Sequence, residues 1–386
     1  MGDNPQHLTT ADFNKDGRLD IVVNANNEHQ IRFVSSAGVG PTFLAPLAVK
    51  AGTAPAALAV GDFNQDGKKD VAVLNPADDQ VSILIAAGGK QFKVPVAYAV
   101  GDGPTGLVAA DVNGDKKLDL VVSNTIGDDV SVLLGNGNGT FQAAVHYTMG
   151  NGPQNVLVKD INGDKKLDII TPNFFDDTIG IRLGNGDGTF GDTKTYIGAN
   201  ASTYLHVQDV NGDKKTDLIF TEPGADKIHL RINTTPTGAS TPSFLAATSY
   251  AVGDAPSSLI TTDLNGDGKQ DVVVTNGNSN DISIVMGTGS GAFAPAVNVP
   301  VGNTPSAVIA GDFNKDGKMD LFVANKNSAS LTLLRGKGTG AFFAPISIDT
   351  GHSPQYLAAA DMNGDGKLDL LVNSLTENEI RLVFQV

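Results

Sequence analysis

Asp361-Met362-Asn363-Gly364-Asp365-Gly366-Lys367-Leu368-Asp369 sets carboxylates at positions 1, 5 and 9 and an amide at position 3. Three Asp this close together repel one another, and Gly366 at position 6 suits a tight loop whose backbone must take positive φ. The same pattern recurs along the chain. Its first Asp falls at Asp12, Asp62, Asp111, Asp160, Asp209, Asp263, Asp312 and Asp361, at intervals of 50, 49, 49, 49, 54, 49 and 49 residues. A period held that tightly marks a repeat array.

Around each loop the order of signals is constant. A Pro stands seven residues before the first Asp, at Pro5, Pro55, Pro104, Pro153, Pro256, Pro305 and Pro354, with Ser202 in repeat five. A short apolar stretch such as Leu357–Ala360 leads into the loop, and Leu120-Val121-Val122 exemplifies the apolar run after it. A polar turn, an alternating segment such as Val130–Leu134, a Gly-rich turn ending in Phe (Phe92, Phe141, Phe190, Phe244, Phe293, Phe342) and a last segment such as Ala143–Tyr147 complete the repeat. Turn signals about every ten residues predict four short strands per repeat. One such sheet cannot bury both faces alone, but sheets packed radially on their neighbours can. The fold class is therefore all-β: a β-propeller of eight four-stranded blades with an acidic loop between strands one and two of each.

The blades fall at about 3–52, 53–101, 102–150, 151–199, 200–253, 254–302, 303–351 and 352–386, one domain over 1–386. Repeat five is longer by an insertion in the turn Thr234–Ser243. Repeat eight stops after its third strand, so blade eight is expected to be three-stranded. A partner chain or a further segment is expected over that open edge.

The loops point to a metal. One Asp-x-Asn-x-Asp is as readily an Asx-rich turn, but eight copies with every acidic position kept call for cations between the carboxylates. Hard oxygen donors in an irregular loop suit Ca²⁺ better than Mg²⁺, which demands a strict octahedron. Side chains at positions 1, 3, 5 and 9 and the carbonyl of position 7 form the expected set. In order these are Asp12, Asn14, Asp16, Arg18 and Asp20; Asp62, Asn64, Asp66, Lys68 and Asp70; Asp111, Asn113, Asp115, Lys117 and Asp119; Asp160, Asn162, Asp164, Lys166 and Asp168. The second half supplies Asp209, Asn211, Asp213, Lys215 and Asp217; Asp263, Asn265, Asp267, Lys269 and Asp271; Asp312, Asn314, Asp316, Lys318 and Asp320; Asp361, Asn363, Asp365, Lys367 and Asp369. Up to eight Ca²⁺ would nearly cancel the net charge of −15. An EF-hand is excluded, because position 12 is Val23, Val73, Val122, Thr171, Phe220, Val274, Val323 or Val372 where that loop needs Glu. Lys116, Lys165 and Lys214 replace the position-6 Gly, at a backbone cost of about 1 kcal/mol each, so those three loops are expected to bind more weakly.

On these residues the chain resembles the FG-GAP/VCBS repeat family, with Asn where Asp is commoner at position 3. The resemblance covers almost the whole chain and implies a propeller whose calcium loops share one face. Integrin-like members have seven blades, so eight repeats depart from that count.

Composition narrows the function classes. With no Cys there is neither a disulfide nor a zinc-thiolate site, and no apolar run is long enough to span a bilayer. An acidic chain argues against nucleic acid and anionic membrane surfaces. No Gly-x-Ser-x-Gly or His-Glu-x-x-His motif is present. Gly135–Gly139 imitates a phosphate loop but sits in a hairpin with no helix after it. Equivalent metal sites spread round a ring cannot converge on one substrate, so calcium reads as structural and function belongs where the repeats differ. Candidate ligand residues lie on the face opposite the loops: Gln6, His7, Gln355 and Tyr356, which adjoin if the ring closes, and Gln154, Asn155, Phe174, Phe175 and Tyr204. Aromatic rings beside amides suit a sugar or a peptide. The leading expectation is a secreted or cell-surface binding and adhesion module for glycan or extracellular protein. The alternatives are a lyase- or dehydratase-type enzyme and a structural module of a larger surface protein.

Overall fold

The computed structural model describes residues 49–87, 92–198, 204–314 and 316–348 in full. It also describes the backbone of the strands Leu8–Ala11, Asp20–Ala25, Gln30–Val34, Leu47–Lys50, Pro354–Ala360, Asp369–Ser374 and Glu379–Val383. Among the described residues there is no α-helix, only two 3₁₀ turns at Pro76–Asp78 and Pro223–Ala225. The strands form antiparallel meanders in chain order, seven of four strands and a last one of three. A small extra hairpin, Ala86–Gly88 with Gln91–Phe92, follows the third strand of the second sheet.

Sheet three shows the repeat unit: Pro104–Ala110, Asp119–Asn124, Asp129–Leu133 and Val145–Thr148. The third and fourth strands are shifted from the expected Val130–Leu134 and Ala143–Tyr147. Beyond them Phe141 bridges Gly135 in isolation, and Ala143 and Ala144 stay outside the ladder. Every residue of the second strand is buried, whereas the fourth is exposed except for the half-buried Tyr147. The second strand is thus covered on both faces, which explains its continuous apolar run.

The covering comes from neighbouring sheets. Leu120 and Val122 join Leu74, Ile83 and Phe63 of sheet two, while the intervening Val121 joins Ile169 and Val156 of sheet four. Strand alternation sends successive side chains to opposite neighbours, so each core belongs to two sheets. Full burial of each such Val or Leu contributes about 1.5–3 kcal/mol. First strands lie beside one another: Ala57–Gly61 against Pro104–Ala110, and Pro305–Gly311 between Pro256–Thr262 and Pro354–Ala360. Leu8–Ala11 contacts both Ala57–Gly61 and Pro354–Ala360. This radial order, with first strands inside and fourth strands outside, is that of a β-propeller. In sheets two to five a Tyr on the fourth strand clips the sheet to the next one's Phe turn. Tyr98–Phe141, Tyr147–Phe190, Tyr196–Phe244 and Tyr250–Phe293 meet edge-on at 5.1–5.7 Å.

Candidate metal loops and the opposite face

Each of the six described acidic loops, two to seven, is wound on its own side chains. In the third, the Asp111 carboxylate accepts the N–H groups of Gly114 (2.7 Å), Asp115 (3.2 Å) and Lys116 (2.8 Å). Asn113 accepts from the Asp115 N–H at 2.9 Å, and Asp115 from the Lys117 N–H at 2.9 Å. Loops two and four to seven repeat the bond to the position-3 amide and the position-6 N–H bond to the first Asp. Such winding requires left-handed backbone at position 6, where φ is 67° at Lys116, Lys165 and Lys214 and 79–81° at Gly67, Gly268 and Gly317. Position 4 is left-handed too, a requirement the sequence reading missed. Gly114, Gly163, Gly212 and Gly266 meet it without cost, but Gln65 sits there at φ 57°. Backbone strain therefore reaches loop two as well as the three Lys-bearing loops.

The position-9 Asp is the hinge between loop and sheet. Asp119 is fully buried, and its oxygens accept the N–H of Val112 (2.9 Å) and of Gly135 (2.8 Å), just past the third strand. Asp70, Asp168, Asp217 and Asp271 do the same in their sheets. Burial pushes the carboxyls of Asp70, Asp119, Asp168 and Asp217 up to about 6, against the lowering effect of these N–H donors. Repulsion from the Asp residues at positions 5 and 1 adds to the rise. A carboxyl raised on folding stabilises the protein fully below its ordinary range near 4, and that contribution fades as pH climbs through about 6. Metal-free protein should therefore melt higher at about pH 5 than at about pH 7.5, as calorimetry in EGTA would read. An equal or lower midpoint at the acid pH would contradict this.

The donor chemistry fits a hard divalent cation: three carboxylates and one amide oxygen in nine residues, with acids that raise one another's affinity for positive charge. As they stand, no three acidic or His side chains close on one point among the described residues. The cation next to them is instead the position-7 Lys, whose carbonyl was the expected donor. Lys68, Lys117 and Lys269 reach Asp66, Asp115 and Asp267 at 2.9–3.0 Å. Asp20 and Asp369 begin strands, whereas Asp12, Asn14, Asp16 and Arg18 of loop one, with Asp361, Asn363, Asp365 and Lys367 of loop eight, lie outside the described residues.

The Gly-rich turn of the next sheet reaches over loop two. Gly139 donates its N–H to the Phe63 carbonyl of loop two at 3.0 Å. The inserted turn in sheet five does more: Gly238 donates to the Asn162 carbonyl (2.9 Å) and Asn162 Nδ2 to Ala239 (3.2 Å), burying Asn162. Sequence identified the insertion as tolerated length, not as a cover for loop four.

The Pro-bearing leading turn and the turn between strands two and three share the other face, as expected. An Asp or Asn in left-handed backbone joins them across sheets. Asp128 caps the Gly152 N–H at 2.8 Å, and Asp226 and Asn280 cap Ala255 and Thr304. Here Phe175 is 61% exposed, its ring edge-on to Phe174 at 5.4 Å and seated over Gly152, where any Cβ would collide. The preceding sheet has an apolar residue in the same place, Ile126 at 75% exposure, so the position is not polar in every other repeat. Gln154 is bonded through its N–H to Pro172, Asn155 is exposed with its Oδ1 on the Val156 N–H, and Tyr204 is half-buried against the core between sheets five and six. Gln6 and His7 lie outside the described residues, and Gln355 and Tyr356 are placed by strand backbone alone.

The FG-GAP-like repeat matches this chain over residues 12–73, 62–122, 111–171, 209–274, 263–323 and 312–372. Among solved structures, an Agrocybe aegerita lectin recognising non-reducing terminal N-acetylglucosamine superposes with TM-score 0.56 at 20% identity, over 90% of each chain. BBS1N, solved in complex with ARL6DN, gives 0.55 at 12% identity over 84% of this chain and 91% of that one. A putative 6-phosphogluconolactonase from Bacteroides fragilis gives 0.53 at 19% identity, over 84% and 89%. Identities this low show a common fold and nothing finer. No curated protein matches the chain.

Proposed function

The chain belongs to the FG-GAP-like repeat family, and from that premise we propose a single calcium-stabilised propeller of eight blades, secreted or at a cell surface, that binds glycan or protein on the face opposite its acidic loops. In each loop the side chains at positions 1, 3, 5 and 9 and the carbonyl of position 7 would hold the ion. Bound calcium supplies the positive charge that lets the carboxylates stay together. Loops of this kind are filled at the millimolar calcium found outside cells, and these repeats are typical of extracellular proteins. No helix among the described residues is long and apolar enough to cross a membrane.

The observation that carries the binding role is Phe175, an exposed ring braced by Phe174 and seated over Gly152, in the turn that leads to Gln154 and Asn155. A rigid aromatic platform next to amides suits the apolar face of a sugar or a peptide side chain. One fold neighbour recognises N-acetylglucosamine and another was solved with a protein partner, which makes both ligand classes worth testing. Glycan-array binding and pull-down should find a ligand that Phe175→Ala weakens at least tenfold, with stability changed by no more than about 0.5 kcal/mol. A ligand held equally by wild type and Phe175→Ala would place the site elsewhere.

A further inference from the structure

At the rim, the fourth strands of sheets two to five face the Gly-rich hairpin of the next sheet, and an arginine fills two of these junctions. Between sheets three and four, Arg182 donates from Nε to the Thr148 carbonyl (2.9 Å), from Nη2 to Thr148 Oγ1 (3.2 Å) and from Nη1 to the Gly191 carbonyl. Its guanidinium lies 5.3 Å from the Tyr147 ring centre. Between sheets four and five, Arg231 donates from Nη2 to the Ile197 carbonyl at 2.7 Å and from Nη1 toward Leu245 at 3.5 Å. Both arginines occupy the same place near the end of a third strand.

Between sheets two and three that place belongs to Leu133, which is buried in the core. The junction above it keeps a cavity of about 470 Å³, walled by Ala97, Ala99, Ala143 and Ala144 with Tyr98, Phe141 and His146. The repeat sets Ala99 where Thr148 and Ile197 offer their carbonyls, Gln142 where Gly191 and Leu245 do, and Tyr98 where Tyr147 flanks the guanidinium. The receptor for an arginine is thus in place without one. Charge agrees: the chain is net −15, and Asp129 lies 3.5 Å behind His146 of the cavity wall.

We propose that this rim cavity receives an arginine side chain presented by a partner protein, in the manner of Arg182 and Arg231. The planar fork of a guanidinium serves two carbonyls and stacks on a ring, which a lysine ammonium does not. The site is separate from the Phe175 face, so either reading can fail without the other.

The probe is N-acetyl-arginine amide, followed by saturation-transfer NMR on the full chain, with the blocked lysine and the neutral isostere citrulline as comparisons. The arginine compound should bind saturably, and both comparisons at least tenfold more weakly. Leu133→Arg supplies the internal guanidinium that sheets four and five already carry, and in the folded protein it should abolish probe binding. Should that variant fold poorly, Ala143→Phe fills the cavity from its exposed wall and should likewise abolish binding. Absent binding, equal binding of arginine and citrulline, or undiminished binding by folded Leu133→Arg or Ala143→Phe would overturn the proposal.

Discussion

Chelating calcium should lower the melting temperature of this protein by about 20 °C at neutral pH. Eight loops binding with Kd on the order of 0.1 mM in about 2 mM calcium would each stabilise the folded chain by ~1.8 kcal/mol, ~14 kcal/mol together. The effect is large because the loops repeat, not because any one is tight. It should be graded. Loops carrying Gln65, Lys116, Lys165 and Lys214 in left-handed backbone give up about 1 kcal/mol each and should empty first as calcium falls. Calorimetry across a calcium titration reads this as a midpoint that keeps rising over more than one decade of concentration. Magnesium at the same concentration should restore little of the loss, since these loops do not impose an octahedron. A midpoint indifferent to EGTA would mean that Lys–Asp pairs such as Lys117–Asp115 suffice to keep the loops together.

Asp119→Ala should cost about 3–5 kcal/mol with calcium present or absent. Its two oxygens satisfy the buried N–H groups of Val112 and Gly135, and each donor left unpaired loses about 1–3 kcal/mol. Asp119→Asn keeps one acceptor and should cost about half as much. Asp115→Ala is the contrast. Asp115 is exposed and bonds only within its loop and to Lys117, so its loss should matter in calcium and disappear in EGTA. Urea midpoints of these variants, with and without EGTA, separate the structural role of position 9 from the charge-gathering role of position 5. If Asp119→Ala were silent in EGTA, the buried carboxylate would be a ligand alone and not the tie between loop and third strand.

The repeat made most of the architecture legible. Fixed spacing of the acidic loops, continuous apolar runs such as Leu120–Val122 and the Phe-ending turns are local signals, and each became the element it announced. What stayed hidden arises between sheets. Nothing in one repeat says that Gly238 of the inserted turn seals loop four, or that Arg182 reaches back to Thr148, because those contacts span residues 34 or more apart in sequence. The left-handed requirement at position 4 was hidden for a different reason. Gly is common there, and among the described residues Gln65, held at φ 57°, shows that the backbone and not the residue sets the conformation. The face opposite the loops was readable as a place, but what exposed turn residues such as Phe175 and Ile126 meet is not set by the fold.

The most direct test is the calcium content of the folded protein. Protein stripped with EGTA, re-equilibrated in millimolar calcium and weighed by native mass spectrometry should carry close to eight ions per chain. Removing the position-1 and position-5 carboxylates of one loop, as in Asp263→Ala with Asp267→Ala, should lower that number by one. A chain that folds and takes up no specific calcium would contradict the claim that the acidic loops exist to be bridged by it.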